Sequence, residues 1–463
     1  MDETKLNSFA LQMAKDLMTA RPSIPLATAI GVANYKMANI CGNLKVMLDT
    51  RSGYARTPVN IYQLLLLDSG GGKGASLGLI DEFYFKEAFE HIGNQVYPQF
   101  KQLAIKKLLR EGNERPLHNW VASMGDATQS GLLAYAESYS LAGFGGISVE
   151  IDEIGKAVIS KADVFELLLQ PYDNGLYVPT AKRTDPDAIS VAGMSTNLYC
   201  FGNKVRLFEG DIVESSFLKL LDEGYGRRMI FIDDESKQTR STPQEIVSSM
   251  KISELIKTKR AKDRTYIKSL VTGSNLNKLL TLSDDALLFW ATVKSDGDNY
   301  ILDNPKLAPA VQSDMSERCF KTAKLASIYA FFEGSDVVSR KNMEEAFEVI
   351  EESSRVLKLL RVVKPKHERL LDYMLLEATP ITSQAMLAYP FIPSTWTKKI
   401  GEYIDLAKEL ANEKGYIWDE ISRNKVTFYQ VRKEEIESKE ELDKIEKSGK
   451  QIESDLMALL GLD

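Results

Sequence analysis

The sequence predicts an α/β fold, with a sheet-containing core in the first half of the chain and helices after it. Three observations support this prediction. Residues 61–67 form an apolar run that ends in glycines, and residues 146–151 alternate between apolar and polar side chains before an acidic pair. From Pro243 to about Leu360, apolar residues recur at helical spacing.

The N-terminal region, residues 1–55, is predicted to contain two helices. Pro22 and Pro25 interrupt the apolar pattern, because proline lacks the backbone N–H that a helix interior needs. A first helix therefore precedes Pro22, and a second is expected from about Leu26 to Leu48.

The segment that follows residues 61–67 has the composition of a phosphate-binding loop. Glycines free backbone N–H groups to point at phosphates, and a lysine adds positive charge beside them. We expect ATP to be bound here by Ser69, Gly70, Gly71, Gly72, Lys73, Gly74, Ala75 and Ser76. A glycine-rich turn that binds nothing is the alternative interpretation.

This loop differs at both ends from the usual pattern, G-x-x-x-x-G-K-[S/T]. Leu67 stands where a glycine is usual, and Gly74 stands where a hydroxyl side chain normally ligates Mg²⁺. The first hydroxyl after the lysine belongs to Ser76, which is therefore the predicted magnesium ligand in this loop.

An acidic pair follows the second predicted strand and suits the same kind of site. Asp152 is expected to hold Mg²⁺ through water, and Glu153 to polarise the water that attacks the terminal phosphate. Acidic pairs after strands are also common at protein surfaces. The glycine loop and this pair support each other because they occur in the expected order.

The third strand, residues 188–194, is predicted to end in Ser195, Thr196 and Asn197. Oligomeric ATPases often place an asparagine here, where it orients the attacking water. Asn197 is the candidate for this role, with Ser195 and Asn203 as alternatives. An ordinary Ser/Asn turn at a strand end would give the same pattern.

Two arginines, Arg227 and Arg228, lie in a glycine turn that opens a fourth strand. Arginine stabilises phosphoryl-transfer charge across subunit interfaces. Either residue is therefore a candidate for completing the site of a neighbouring subunit, and surface ion pairing is the alternative.

In this order the motifs resemble those of phage and plasmid replicative helicase-like ATPases of the AAA+ class, near the superfamily 3 and MCM-like helicases. The resemblance covers about residues 1–360. It rests on residues 58–62 with the glycine loop, residues 126–132, residues 146–153 and the turn at residues 226–228.

This resemblance implies an AAA+-type P-loop NTPase core at residues 56–242 and a helical lid at residues 243–362. It implies ATP and Mg²⁺ as cofactors. It also implies a homo-oligomeric ring, a hexamer, that acts as a helicase and moves along single-stranded DNA during phage or plasmid replication.

The resemblance also suggests roles for basic residues. Lys182 and Arg183 are candidate DNA contacts, because hexameric helicases insert a pore hairpin at this point; a solvated loop is the alternative. Lys324 or Arg318 lies on a helix that resembles the second sensor helix and would reach the nucleotide, unless it only faces water. The basic patch at residues 257–268 indicates phosphate contacts or a charged helix face.

Residues 363–432 predict a separate winged-helix-like domain, with helices followed by two strands at residues 415–420 and 425–431. The sequence does not distinguish DNA binding from protein docking as the function of this domain. Residues 433–463 form an acidic tail with apolar residues at heptad spacing, which is expected to dock on another replication protein or a neighbouring subunit. A frayed terminus is the alternative.

Composition indicates a cytoplasmic protein, in the bacterial host if the chain is phage-encoded. Its three cysteines are far apart, which argues against a disulfide framework, and no apolar run approaches the ~18 residues of a membrane span. No signal-peptide pattern is visible at the N-terminus. The net charge of −7 disfavours a DNA-coating protein. It permits a DNA channel, because charge acts locally within a Debye length of ~8–10 Å.

Two other functions fit the same motifs. A protein-remodelling ATPase, such as a helicase loader or an anti-defence factor, would hydrolyse ATP independently of DNA. A non-catalytic, nucleotide-gated scaffold would bind ATP without turnover, and Gly74 is the residue that favours it.

Overall fold

The computed structural model describes residues 1–51, 53, 56–67, 73–96, 128–178, 191–208, 211–233, 243–361, 366–377, 379–387, 389, 392, 399–423 and 426–433. Within these ranges the chain is mixed α/β. It divides into two units, Met1–Val362 and Val363–Asp463.

The first unit begins with two helices, α1 (Ser8–Ala20) and α2 (Leu26–Asn43). The Asn7 side chain caps α1 by accepting hydrogen bonds from the N–H groups of Phe9 and Ala10. Pro25 precedes α2, so the predicted break between the helices is confirmed. The second helix ends at Asn43, before the predicted Leu48, because the chain turns there into strand β1 (Met47–Asp49).

Four parallel strands form the centre of the first unit, in the spatial order β4-β6-β3-β7. Their bounds are β3 (Tyr62–Leu66), β4 (Gly146–Ile151), β6 (Val191–Gly202) and β7 (Met229–Asp233). A short strand, β5 (Leu176–Val178), pairs antiparallel with β6. Every residue of β3 is buried, as expected for a parallel strand covered on both faces.

One face of this sheet is covered by α2, which is buried from Thr28 to Asn43. Its Asn39 side chain accepts a hydrogen bond from Ser148 of β4 at 2.7 Å. At its other end, a methyl group placed on Gly31 would lie 2.2 Å from the Ile232 side chain of β7. The helix therefore crosses the sheet from β7 to β4.

Shorter helices connect the strands. They are α3 (Lys73–Ile80), α4 (Lys86–His91), α5 (Gln129–Leu141), α6 (Ile154–Ser160), α7 (Ala162–Asp173), α8 (Lys204–Leu207), α9 (Asp211–Leu220) and α10 (Gly226–Arg228). Two tyrosine hydroxyls fix α7 to the other face, since Tyr62 donates to the Leu168 carbonyl and Tyr225 donates to that of Phe165.

Residues 243–361 are mainly helical, as predicted. The helices are α11 (Pro243–Lys259), α12 (Ala261–Leu270), α13 (Asp284–Asp303), α14 (Pro309–Phe332) and α15 (Arg340–Leu360). Ser353 of α15 accepts a hydrogen bond from the Phe231 N–H at 2.7 Å, so this helix covers the outer edge of β7.

The expectation that residues 243–360 are helical throughout is wrong at two strands, β8 (Leu279–Leu282) and β9 (Val337–Val338). They join β1 and β2 (Thr57–Pro58) in a second sheet with the order β2-β1-β8-β9. The parallel pairing of β1 with β8 ties this region to the N-terminal part of the chain.

The second unit contains three helices and one antiparallel sheet among its described residues. The helices are α16 (Lys366–Leu376), α17 (Ser383–Met386) and α18 (Ile400–Glu413). The strands are β10 (Ile381–Thr382), β11 (Tyr416–Arg423) and β12 (Val426–Lys433), in the order β10-β12-β11. The predicted pair of strands is therefore present as a hairpin, and β10 adds a third strand.

Candidate functional site

The carboxyl ends of the four parallel strands meet at one edge of the central sheet, which we term the carboxyl edge. From β3 the chain passes to β4 on one side, returns to β6 between them and then crosses to β7 on the other side. In open α/β sheets, ligands bind outside the carboxyl ends of the strands at such a change of direction. The end of β3, where the glycine loop begins, is thus the first place to look for a site.

The glycine loop is partly outside the described residues, which exclude Ser69, Gly70, Gly71 and Gly72 and the side chain of Lys73. The helix predicted to follow the loop is present, since α3 begins at Lys73. Gly74 and Ala75 in its first turn are exposed. Among the described residues, a methyl group placed on Gly74 would meet no atom within 4 Å.

Ser76 lies less than one turn further along α3 and is only 1% exposed. It shares the buried face of the helix with Leu77 and Ile80, whereas Gly74 and Ala75 are exposed. The hydroxyl predicted to ligate magnesium is therefore on the face that packs into the protein.

The acidic pair, Asp152 and Glu153, directly follows β4 at the carboxyl edge. Asp152 is exposed and Glu153 is half-buried at the start of α6. Because β6 lies between β4 and β3, the pair is two strand spacings, or roughly 10 Å, from the end of β3. We term this distance the gap between the end of β3 and the acidic pair.

The third strand is longer than predicted, so a different asparagine lies at its end. Since β6 continues to Gly202, the expectation that it ends before Ser195 is wrong. Asn197 lies in its middle, roughly 16 Å from the carboxyl edge at the usual rise per residue. The residue that follows β6 is Asn203, one of the two alternatives, and it is 9% exposed.

The partners of Asn197 show that it has a structural role. Its carbonyl oxygen accepts a hydrogen bond from the Ile61 N–H at 2.9 Å, and its amide donates to the Ala38 carbonyl at 3.1 Å. The side chain thereby links α2, β6 and the segment before β3 inside the core.

An ion pair at the carboxyl edge was missed by the sequence analysis. The Lys204 ammonium, at the start of α8, donates to Asp233 at the end of β7 over a distance of 2.5 Å. Leu66 of β3 pairs with Gly202 on one side and with Asp233 on the other. The ion pair therefore spans the end of β3. The available sequence signal was an aspartate directly after the apolar run of β7.

The two arginines lie at the opposite, amino edge of the sheet, because α10 precedes β7. Arg228 is 6% exposed, and its guanidinium donates to Asp173 at 2.5 Å. Arg227 is half-exposed and makes two looser ion pairs, at 3.6 Å to Asp173 and 3.8 Å to Glu317.

Lys324 also lies at the amino edge, at the opposite end of β3 from the carboxyl edge. Its ammonium donates to the Asn60 side chain at 2.6 Å and to the Tyr172 carbonyl at 2.5 Å. Asn60 precedes β3, whose carboxyl end is roughly 20 Å away at the usual rise per residue. Arg318, the alternative residue, pairs with Glu351.

The remaining predicted DNA contacts, Lys182 and Arg183, lie outside the described residues, as do residues 434–463 of the tail. The basic patch at residues 257–268 can be described. Three of its members form ion pairs with the N-terminal half of the chain, namely Lys257 with Glu82, Arg260 with Asp16 and Arg264 with Glu87. These pairs favour the charged-helix interpretation of the patch.

No family model matches the chain, and a search of curated proteins finds no match. In the part of the chain that the structure describes, no helix combines the length and the apolar character needed to cross a bilayer.

Proposed function

We propose that this protein is an AAA+-type ATPase that assembles as a ring and translocates on single-stranded DNA in phage or plasmid replication. The observation that carries the proposal is the convergence of separate sequence features on one edge of a parallel sheet. These features are the glycine loop leading into α3, the acidic pair after β4, Asn203 after β6 and the Lys204–Asp233 pair.

The residues present fit a nucleoside triphosphate with its magnesium ion. Exposed Gly74 and Ala75 leave the first turn of α3 open, where backbone N–H groups and a helix dipole favour phosphate. Lys73 and the glycines before it would hold the phosphates there. Asp152 is an exposed carboxylate across the gap, where it would hold Mg²⁺. When bound, the ion neutralises phosphate charge.

Three further side chains would act on the reacting groups. Glu153 would orient the attacking water and accept its proton, because it lies on the acidic side of the gap. Asn203, between the acidic pair and the loop, would orient the same water. Lys204 would exchange its bond to Asp233 for one to the terminal phosphate, since it already lies over the end of β3.

The assembly and DNA-binding parts of the proposal have separate support. Arg227 is half-exposed and only loosely paired, which suits a residue that completes a neighbouring site; buried Arg228 is less suitable. The second unit has three helices and an antiparallel hairpin among its described residues, which would suit a winged helix, a plan often used to bind DNA.

The decisive experiment measures ATP hydrolysis with and without single-stranded DNA for the full chain, Lys73→Ala and Glu153→Gln. We expect DNA-stimulated turnover that falls at least a hundred-fold in both variants, because each removes a charge that acts in the transition state. Lys219→Ala and Glu223→Gln are controls, since this exposed pair lies on the surface between α9 and α10.

The two rival functions give different results in the same assay. DNA-independent turnover that both variants abolish would indicate a protein-remodelling ATPase. ATP binding without turnover would indicate a nucleotide-gated scaffold, which the buried Ser76 hydroxyl and Gly74 favour. Equal loss of turnover in the surface controls would contradict the assigned site.

A further inference from the structure

A cavity of about 200 Å³ lies at the amino edge of the central sheet, away from the proposed ATP site. Its walls come from the end of α7, from α10, from α14 and from β2. The charged side chains that line it are Arg227, Arg228, Lys321, Lys324, Asp173 and Glu317. Cations therefore outnumber carboxylates in the lining.

Two of these cations have a hydrogen-bonded carboxylate partner. Arg228 donates to Asp173 at 2.5 Å. The Lys321 ammonium is bonded to Asp314, which is itself buried, and to the Met229 carbonyl at 3.1 Å. These two ion pairs are part of the frame of the cavity.

The other two cations lack a hydrogen-bonded carboxylate among the described residues. Lys324 donates only to neutral oxygens, those of Asn60 and Tyr172, and its ammonium lies 3.8 Å from the centre of the Tyr172 ring. The Arg227 guanidinium has only the two ion pairs at 3.6 and 3.8 Å. An arginine fork in this state can still form bidentate hydrogen bonds to an oxyanion.

Lys324 is held rigidly as well as buried, since it is only 2% exposed. The Asn60 amide that accepts from it is itself fixed, because it donates to the Thr196 carbonyl at 2.8 Å. In addition, the buried Nε of Arg228 has no hydrogen-bond partner in the described part of the protein. A buried donor without a partner costs free energy that a ligand could recover.

We propose that this cavity binds a tetrahedral oxyanion of the phosphate or sulfate type, held between the Arg227 guanidinium and the Lys324 ammonium. The site differs from the proposed ATP site in position and in residues, and it does not depend on ATP hydrolysis.

Burial disfavours the charged form of Lys324 and lowers its pKa to about 7. Asp173 on α7 opposes this shift, and Arg228 on α10 adds to it. The other charged groups that line the cavity are Arg227 on α10 and Glu317 and Lys321 on α14. An anion would stabilise the ammonium, so binding should take up a proton near neutral pH and weaken as pH rises.

The test is calorimetric titration of the full chain with sulfate, whose charge does not change between pH 6 and 9. Saturating ADP with Mg²⁺ is included so that any phosphate loop is already occupied. We expect saturable binding that weakens at least ten-fold in Arg227→Ala and weakens between pH 6 and 8.5. Arg340→Ala is the matched control, because Arg340 is an exposed arginine paired with Glu344.

Several outcomes would overturn the proposal. They are the absence of sulfate binding, equal affinity in Arg227→Ala and Arg340→Ala, or an affinity that does not change with pH. Displacement of sulfate by inorganic phosphate supports the assignment, and displacement by acetate alone overturns it. Lys324→Met is a second variant, which should abolish the pH dependence if it folds.

Oligomeric state distinguishes a free anion from the phosphate of a neighbouring subunit's nucleotide. Sulfate binding by a chain that sedimentation shows to be monomeric supports a site within one chain. Binding that appears only after assembly with ATP overturns it. A chain that fails to bind ADP contradicts the proposed ATPase without affecting the sulfate result.

Discussion

Gly74 occupies the position where the resembling ATPases have Ser or Thr, and nothing in its surroundings requires a glycine. A Cβ at this position meets no atom of the described residues within 4 Å, and the residue lies inside α3, where glycine is a weak helix former. The lack of a side chain at position 74 therefore affects ligand binding more than packing. This makes position 74 the most direct place to test whether magnesium binds here.

We predict that Gly74→Ser raises magnesium-dependent ATP turnover about ten-fold, equivalent to roughly 1.4 kcal/mol of transition-state stabilisation. The added hydroxyl would lie in the first turn of α3 and supply the missing ligand. Gly74→Ala is the matched control, since it improves helix propensity without adding a ligand. Turnover is measured across a magnesium series, and equal rates in the Ser and Ala variants would contradict a metal at this position.

Two residues show why single-residue roles were harder to predict than motifs. Lys324 was assigned to the nucleotide from its place on a helix, but its partners, Asn60 and Tyr172, are more than 150 residues away in sequence. Asp152 and Glu153 follow strand β4 as expected, because that position depends only on where the preceding strand ends. Local patterns therefore located the acidic pair, and long-range packing decided the position of Lys324.

At the scale of elements, β6 also shows that long-range packing can override a local sequence pattern. Its polar residues Ser195, Thr196 and Asn197 were taken as the end of the strand, but all three are buried. Asn197 can be buried because other elements supply its partners, including the Ala38 carbonyl of α2. A sequence pattern cannot show that a helix lies across those positions, so the strand was predicted to end too early.

The length of β6 leads to opposite predictions for its two asparagines. Asn203→Ala should lower turnover about a hundred-fold, because Asn203 is at the carboxyl edge. Asn197→Ala should lower the free energy of unfolding by about 1–3 kcal/mol, because it leaves the Ile61 N–H and the Ala38 carbonyl without their partner.

These two variants are compared by steady-state ATP hydrolysis and by urea unfolding. Each serves as the control for the other, since both remove one amide side chain from the same strand region. A large loss of turnover in Asn197→Ala at full folding, with a normal rate in Asn203→Ala, would restore the original assignment of the sequence analysis.

At the scale of the whole molecule, the parallel sheet was predictable and the second sheet was not. β3 is an apolar run followed by a glycine loop, and β4 is an alternating segment followed by an acidic pair. The second sheet joins β1 to β8, which are more than 200 residues apart. These strands have only three and four residues, too few to show the alternation of apolar and polar side chains that predicts a strand. These short strands are stabilised by pairing with their neighbours in the sheet.

The two units have separate cores, and this gives the last prediction. The buried apolar residues of the first core extend from Leu6 to Leu360, and those of the second from Leu370 to Val431. A unit with its own core has what it needs to fold alone. We therefore expect a chain truncated to residues 1–362 to keep its thermal transition within about 4 °C, a shift of roughly 1 kcal/mol or less.

Scanning calorimetry compares the full chain, residues 1–362 and residues 1–432. The last of these is the matched control, because it removes only the acidic tail and keeps Val431 in the second core. Single-stranded DNA binding, measured on the same three chains, tests the role of the second unit. If that unit binds DNA, affinity falls in residues 1–362 and is kept in residues 1–432. A large drop in the transition temperature of residues 1–362 would show instead that the two units fold as one.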